Sequence, residues 1–212
     1  MMTRSLRLLL ALAAAVLVAR PALAGPPLLC FPFDIGTATS LPVGAGDWHA
    51  VDPRYDVSHL VDDTLALLTP ATPIVTRMET LRRATLYAAK DRTIAAALLD
   101  RLQARAAVPS AGAALAVFDF GYLVETYKQA TFLFGAPMQA VQHVDGYSLV
   151  AKAAAMRDDS TIEFALAVMT RGDTRLAGVH RTHLARTIAA AKSDALVQAN
   201  LSKQFGYELA TR

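Results

Sequence analysis

From residue 52 onward, apolar side chains recur every three or four positions with charged and polar residues between them, the spacing of one face of an α-helix. Asp52-Pro53 predicts a first start, a capping carboxylate before a proline at the first helical position, and Val57, Leu60, Val61, Leu65 and Leu68 then carry the stripe to Thr69-Pro70. Thr72-Pro73 predicts a second start, with Ile74, Met78, Leu81 and Leu86 leading to about Lys90. Asp91 caps a third, marked by Ile94, Leu98, Leu99 and Leu102 and ended at Pro109-Ser110. A fourth runs from about Ala111 to Phe134, with Leu115, Phe118, Tyr122, Val124 and Phe132 as buried candidates and Gly135 as its left-handed terminator. Gly121 inside it predicts a close helix contact.

Pro137 opens a less regular stretch, broken at Asp145-Gly146, that leads into a helix ending near Arg157. Ser160 with Glu163 three residues on has the form of a capping box and predicts a helix from Thr161 to Arg171, closed by Gly172. Two more follow, Arg175 to Ala191 and, capped by Ser193, Asp194 to Phe205.

Residues 25–52 follow a different pattern. Four prolines and the glycines Gly36, Gly44 and Gly46 prevent a regular helix, yet Leu28, Leu29, Phe31, Phe33, Ile35, Leu41 and Trp48 are too apolar for a solvated linker. The stretch predicts an extended proline-rich arm docked on a helical body at 53–212. Long alternating β-branched runs and hairpin turns are missing, so the predicted fold is all-α. Ala-rich helix ends meeting acidic starts recur at Ala88, Ala154 and Ala190, 66 and 36 residues apart. That loose recurrence leaves two arrangements of antiparallel helical hairpins open, an irregular bundle or a short solenoid-like array.

The first 24 residues change the reading of composition. Arg4 and Arg7, the apolar run Leu8 to Val18 and Ala22-Leu23-Ala24 form the pattern of a secretory signal peptide cut before Gly25. The expected destination is the periplasm or the exterior. The run is short of the roughly 20 residues that span a bilayer, which argues against stable membrane insertion after cleavage. Retention as an anchor and lipidation of Cys30 remain the alternatives, the second disfavoured by Leu29 where a small residue is needed. Without Arg4, Arg7 and Arg20 the 21 basic residues fall to 18, matching the 18 acidic ones. The formal charge of +3 therefore belongs to the signal, and no nucleic-acid partner is implied. A single cysteine excludes an intramolecular disulfide.

Three stretches, Gly25 to Gly36 (GPPLLCFPFDIG), Met78 to Ala84 (METLRRA) and Gly121 to Ala130 (GYLVETYKQA), resemble a group of uncharacterised bacterial proteins that carry signal peptides. The resemblance covers the mature chain and implies no activity. The group is expected to have His after the cysteine, where this chain has Phe31, which removes a Cys-His pair as a metal or redox site.

Candidate chemistry is sparse. Asp52, Asp56, His59 and Asp63 fall near one helical stripe, either a divalent-metal or general-base site or the solvated face of an amphipathic helix. His180 and His183, three apart, could share a ligand with Glu163 or Asp173; Arg175, Arg181 and Arg186 around them suit an anion better than a metal. Cys30 is either a buried packing residue or a reactive thiol, and no base marks it as a nucleophile. Phe118 to Phe134 is aromatic enough to line a groove or to form a central helix. Asp119-Phe120-Gly121 lacks other kinase elements, Arg171-Gly172-Asp173 reads as a helix junction, and Asn200-Leu201-Ser202 lies within a predicted helix. No cofactor is expected. The pattern favours a non-catalytic binding or scaffold module with a protein or peptide partner, and its rival is a small-ligand or metal-binding protein or hydrolytic enzyme. Oligomeric state is left open.

Overall fold

The computed structural model describes residues 27–135 and 138–211; the expected signal peptide, its cut after Ala24, and residues 25 and 26 of the expected arm lie outside them. Among the described residues the protein is all-α, with eight α-helices and no strand. In chain order these are α1 (Leu60–Leu67), α2 (Ile74–Ala88), α3 (Arg92–Ala107), α4 (Ala113–Phe134), α5 (Gly146–Met156), α6 (Ile162–Thr170), α7 (Ala177–Ala190) and α8 (Ala195–Ala210). Single 3₁₀ turns at Val57–His59, Gln139–Val141 and Thr174–Leu176 lead into α1, α5 and α7.

The longest helix, α4, is the hub, packing against α2, α3 and α5. It passes closest to α5 at Gly121, where an added Cβ would meet the Leu149 Cβ at 2.7 Å and the Gly146 carbonyl oxygen at 2.8 Å. A glycine is required there for contact rather than for backbone freedom. Helix α6 touches α2, α5 and α7, and α7 carries α8. In a solenoid each unit meets only its neighbours. Here the contact of α2 with α6, and hydrogen bonds from residues 28–34 to both Gln129 and Asn200, join distant parts of the chain into an irregular bundle.

Several termini differ from expectation, each because a side chain found a better partner. Asp52 does not start the first helix: its carboxylate holds the Arg54 backbone N–H and guanidinium, and Asp56 caps the 3₁₀ turn before α1 instead. The Ser160/Glu163 capping box does not form. Asp159 receives the Thr161 N–H and hydroxyl, while Glu163 turns toward α7. Asp194, not Ser193, caps α8 by accepting from the Val197 N–H at 2.8 Å. At Phe205 the α8 backbone leaves helical geometry (φ −127°, ψ 16°), yet helical turns resume to Ala210. Asp91 caps α3 and the left-handed Gly135 (φ 60°) ends α4 as expected, while Asp145, expected only as a break, caps α5 by accepting from the Ser148 N–H.

The least expected helix is α2. Its apolar stripe is Ile74, Met78, Leu81 and Leu86, but every residue of it except Arg83 is buried, Arg77, Glu79 and Arg82 included. Its polar face is roofed by residues 27–52, which contain no helix and bury Leu28, Leu29, Phe33, Ile35 and Leu41 in the core. Irregular backbone in a core must find hydrogen-bond partners outside a ladder, and here side chains of α2 supply them. Glu79 accepts from the Phe33 N–H at 3.0 Å, Arg82 donates to the carbonyls of Leu29 (3.1 Å) and Trp48 (2.8 Å), and Arg83 donates to that of Leu41 (2.5 Å).

Candidate functional site

The acidic stripe does not assemble. Asp56 is exposed and occupied by Ser58, whose hydroxyl and backbone N–H hold its carboxyl below the ordinary range. Asp52 is lowered in the same way by the Arg54 side chain. Asp63 accepts from the Tyr55 hydroxyl at 2.8 Å, and His59 is exposed at the end of its 3₁₀ turn. Among the described residues no group of three or more His, Cys, Asp and Glu side chains is close enough to share a metal ion.

His180 and His183 lie on the inner side of α7, largely buried, and each is engaged at both ring nitrogens. His183 Nδ1 faces Glu163 Oε2 at 2.6 Å, and its Nε2 faces the Tyr147 hydroxyl at 3.0 Å. Arg186, one turn on, donates to the other oxygen of Glu163 at 3.0 Å. His180 Nε2 faces Glu208 Oε2 at 2.7 Å, while its Nδ1 lies 3.1 Å from the Ala167 carbonyl and 3.0 Å from the Thr170 hydroxyl. Glu163, proposed from sequence as a companion of this pair, is indeed beside it. Asp173 instead caps the turn before α7.

The two rings differ chemically. The Thr170 hydroxyl is within 2.8 Å of the Leu166 carbonyl, to which it can donate, and the Ala167 carbonyl and the Glu208 carboxylate place acceptors against both ring nitrogens of His180. The Tyr147 hydroxyl can donate or accept, so His183 is satisfied in either form. The Tyr147–His183–Glu163 chain has the connectivity of a nucleophile, base and orienting acid. Its tyrosine is nevertheless raised above its ordinary pKa by burial and by Glu163, which favours a neutral donor over a phenolate. Both histidines therefore join helices: α7 to α5 and α6 through His183, and α6 and α7 to α8 through His180.

A cleft of about 660 Å³ opens beside this region, between the end of α5, the start of α6 and the end of α7. Alanines 154, 155, 189 and 190 form part of its wall, with Arg157, Asp159, Glu163 and Arg186 among the charged residues around them. Arg157 is paired with Asp159 and Arg186 with Glu163, so the cleft presents both signs of charge. Tyr147 and His183 do not line it.

Cys30 is half-buried, and burial raises its thiol despite the field of Arg82. It lies beside the buried cluster that the sequence did not reveal as a unit. Burial alone would raise the Glu79 carboxyl, but Arg82 at 2.7 Å and Arg83 at 2.7 Å outweigh it and hold it below its ordinary value. Asp119, fully buried on α4, has only Arg77 at 2.7 Å as a direct ionic partner; there burial wins and its carboxyl is pushed up to about 6. Arg77 also donates to the carbonyls of Thr72 and Thr69. The signal available in sequence was Asp119 itself, an acid between Phe118 and Phe120 in a largely apolar helix.

At the far end of α4 the pattern reverses. Phe132, expected in the core, is 81% exposed, and Phe134 is exposed beside it. The Trp48 ring stacks on Phe134 with centroids 6.0 Å apart, and His49 lies 6.5 Å from the same ring. No helix among the described residues is long and apolar enough to cross a membrane. No family model, curated protein or solved structure matches the chain.

Proposed function

We propose that the protein is an exported, non-catalytic helical binding module whose contact surface is the aromatic tip of α4. The observation that carries the reading is the exposure of Phe132 and Phe134 next to the stacked Trp48, since large aromatics at a surface mark contact sites. Export is supported by the signal pattern of residues 1–24 and by the resemblance of Gly25 to Gly36 to signal-bearing proteins. The engagement of both buried histidines with helix-joining partners supports a role without turnover.

A photoreactive benzoylphenylalanine at position 132, irradiated in the host, is expected to give a discrete adduct in the exported fraction. Its absence overturns the reading. A mass spectrum of the exported chain beginning at Gly25 tests the export component separately. A second reading, small-ligand binding, is favoured by the cleft of about 660 Å³, which is of ligand size. It predicts that a member of an amino-acid and dicarboxylate panel raises the Tm of the wild type and not of Arg186→Ala.

A further inference from the structure

We infer that the aromatic tip of α4 is a lipid-contact face, apposed to the membrane surface while the N-terminal apolar segment is attached. The inference rests on the proposed tip as contact surface and names its partner. It follows from where the chain enters the body. The Leu28 N–H donates to Gln129 Oε1 at 2.9 Å, and Gln129 precedes Phe132 by three residues, less than one turn of α4. At 1.5 Å of rise per residue the entry point is about 4.5 Å along the axis from Phe132. The apolar run Leu8 to Val18 ends ten residues before Leu28, a connection that reaches at most roughly 35 Å when fully extended. A membrane holding that run therefore keeps this end of the molecule near its surface.

The side chains at this end suit the interface. Trp48 and two exposed phenylalanines form the kind of cluster that settles at the headgroup level, where aromatic rings are favoured. The carboxylates on the same elements are occupied: Glu125 holds Lys128 Nζ at 2.7 Å, and Asp47 contacts His49 Nδ1 at 2.8 Å. Two aromatic side chains bind lipid weakly, so the tether supplies the proximity and the tip supplies the orientation.

Trp48 is the only tryptophan of the chain and reports on this face directly. The full 212-residue chain is mixed with phosphatidylethanolamine–phosphatidylglycerol vesicles whose acyl chains are brominated or not. The expected result is emission about twofold lower on brominated vesicles, as for an indole at headgroup depth. Phe132→Ser, at an exposed position that leaves the core intact, is expected to remove half or more of that quenching while the chain still sediments with vesicles. Equal emission on both vesicles, loss of sedimentation of the wild type, or quenching unaffected by Phe132→Ser each overturns the inference. So does a Trp48 shift that follows protein concentration without lipid, which assigns the face to a second copy. An adduct at position 132 that is protein, with no quenching by bromolipid, leaves the tip as a contact surface and refutes only its lipid partner.

Discussion

The two ends of this bundle use charge in opposite ways. Around α2, permanent arginine charges are buried to about 1% exposure against Glu79 and Asp119, and their spare donors hold irregular backbone. Around α7, titratable histidines meet Glu163 and Glu208 at side-chain exposures of 10% to 29%, and they join regular helices with a single backbone contact, His180 Nδ1 to the Ala167 carbonyl in the last turn of α6. Arginine suits the first task because its planar fork offers five donors and keeps its charge. One Arg82 side chain therefore reaches Glu79, Leu29 and Trp48 together. Histidine offers at most two donors, enough for a link between two side chains. The difference shows that the first cluster builds the fold and the second adjusts it.

The largest test breaks the first cluster at its centre. Glu79→Gln leaves Arg82 and Arg83 without their carboxylate and weakens the acceptor for Phe33, and removing one partner of a buried ion pair costs about 3–5 kcal/mol. Urea unfolding is expected to show that loss, with hydrogen exchange rising first at residues 28–41. Asp119→Asn is expected to fall in the same range. The double replacement Arg77→Met with Asp119→Leu should recover most of it, since an apolar pair leaves no charge uncompensated. A single-variant loss below about 1 kcal/mol would erase the distinction between the two regions.

The second test separates the two buried carboxyls by pH. Glu79 is lowered, so its protons are taken up mainly on unfolding; its contribution is present above its ordinary 4.5 and is lost as the pH falls through the folded value. Asp119 is raised from 3.8 to about 6, so between those values the native state holds the extra proton. Its contribution is full below 3.8 and is lost as the pH rises through about 6. Across urea midpoints measured from pH 3 to 7, Asp119→Asn is expected to lose less to the wild type on the alkaline side of that window than on the acid side. A profile that matches the wild type would mean that Asp119 titrates alike in the folded and unfolded chain.

Much of the helical plan was legible because it depends on local chemistry. Apolar spacing, Asp91 and Gly135 act within a turn of their own positions, and those elements formed as spaced. What sequence did not reveal depended on distant partners. The sequence marked only the apolar stripe Ile74, Met78, Leu81 and Leu86 of this helix, and the burial of Glu79 and Arg82 between those positions depends on the return of residues 27–52 over them. The Ser160/Glu163 pattern had the right letters, but His183 and Arg186, twenty or more residues away, draw Glu163 elsewhere. Of the candidate site, the sequence offered Glu163 and Asp173 as alternative companions of the histidines, and only Glu163 meets one of them. Tyr147 and Glu208 were not legible, because each joins the histidines from another helix.

The third test lies within the histidine region. His180→Gln supplies donors at one end only, so the Glu208 link or the Ala167 link is lost, whereas His183→Gln can still meet Glu163 and leave the Tyr147 hydroxyl to water. The first is expected to cost about 1.5–3 kcal/mol, the range of single hydrogen bonds to charged groups, and the second less. The reverse order in thermal or urea unfolding would refute the view that His180, flanked by acceptors on both sides, makes the stronger link of the two.

The smallest effect is the sharpest discriminator. Arg186 donates to Glu163 as Arg83 donates to Glu79, and both bonds are charge-assisted. The Arg186 side chain is 62% exposed, however, against 16% for Arg83, and water can replace it on Glu163. Arg186→Ala is expected to cost about 0.5 kcal/mol or less, a loss that shrinks further in 0.5 M salt because exposed pairs are screened. Arg83→Ala should cost several times more and respond little to salt, because Glu79 is buried and the Leu41 carbonyl loses its donor at the same time. If the two losses were equal and equally screened, exposure would not be what divides these regions, and the charge of the carboxylate alone would set the strength of each contact.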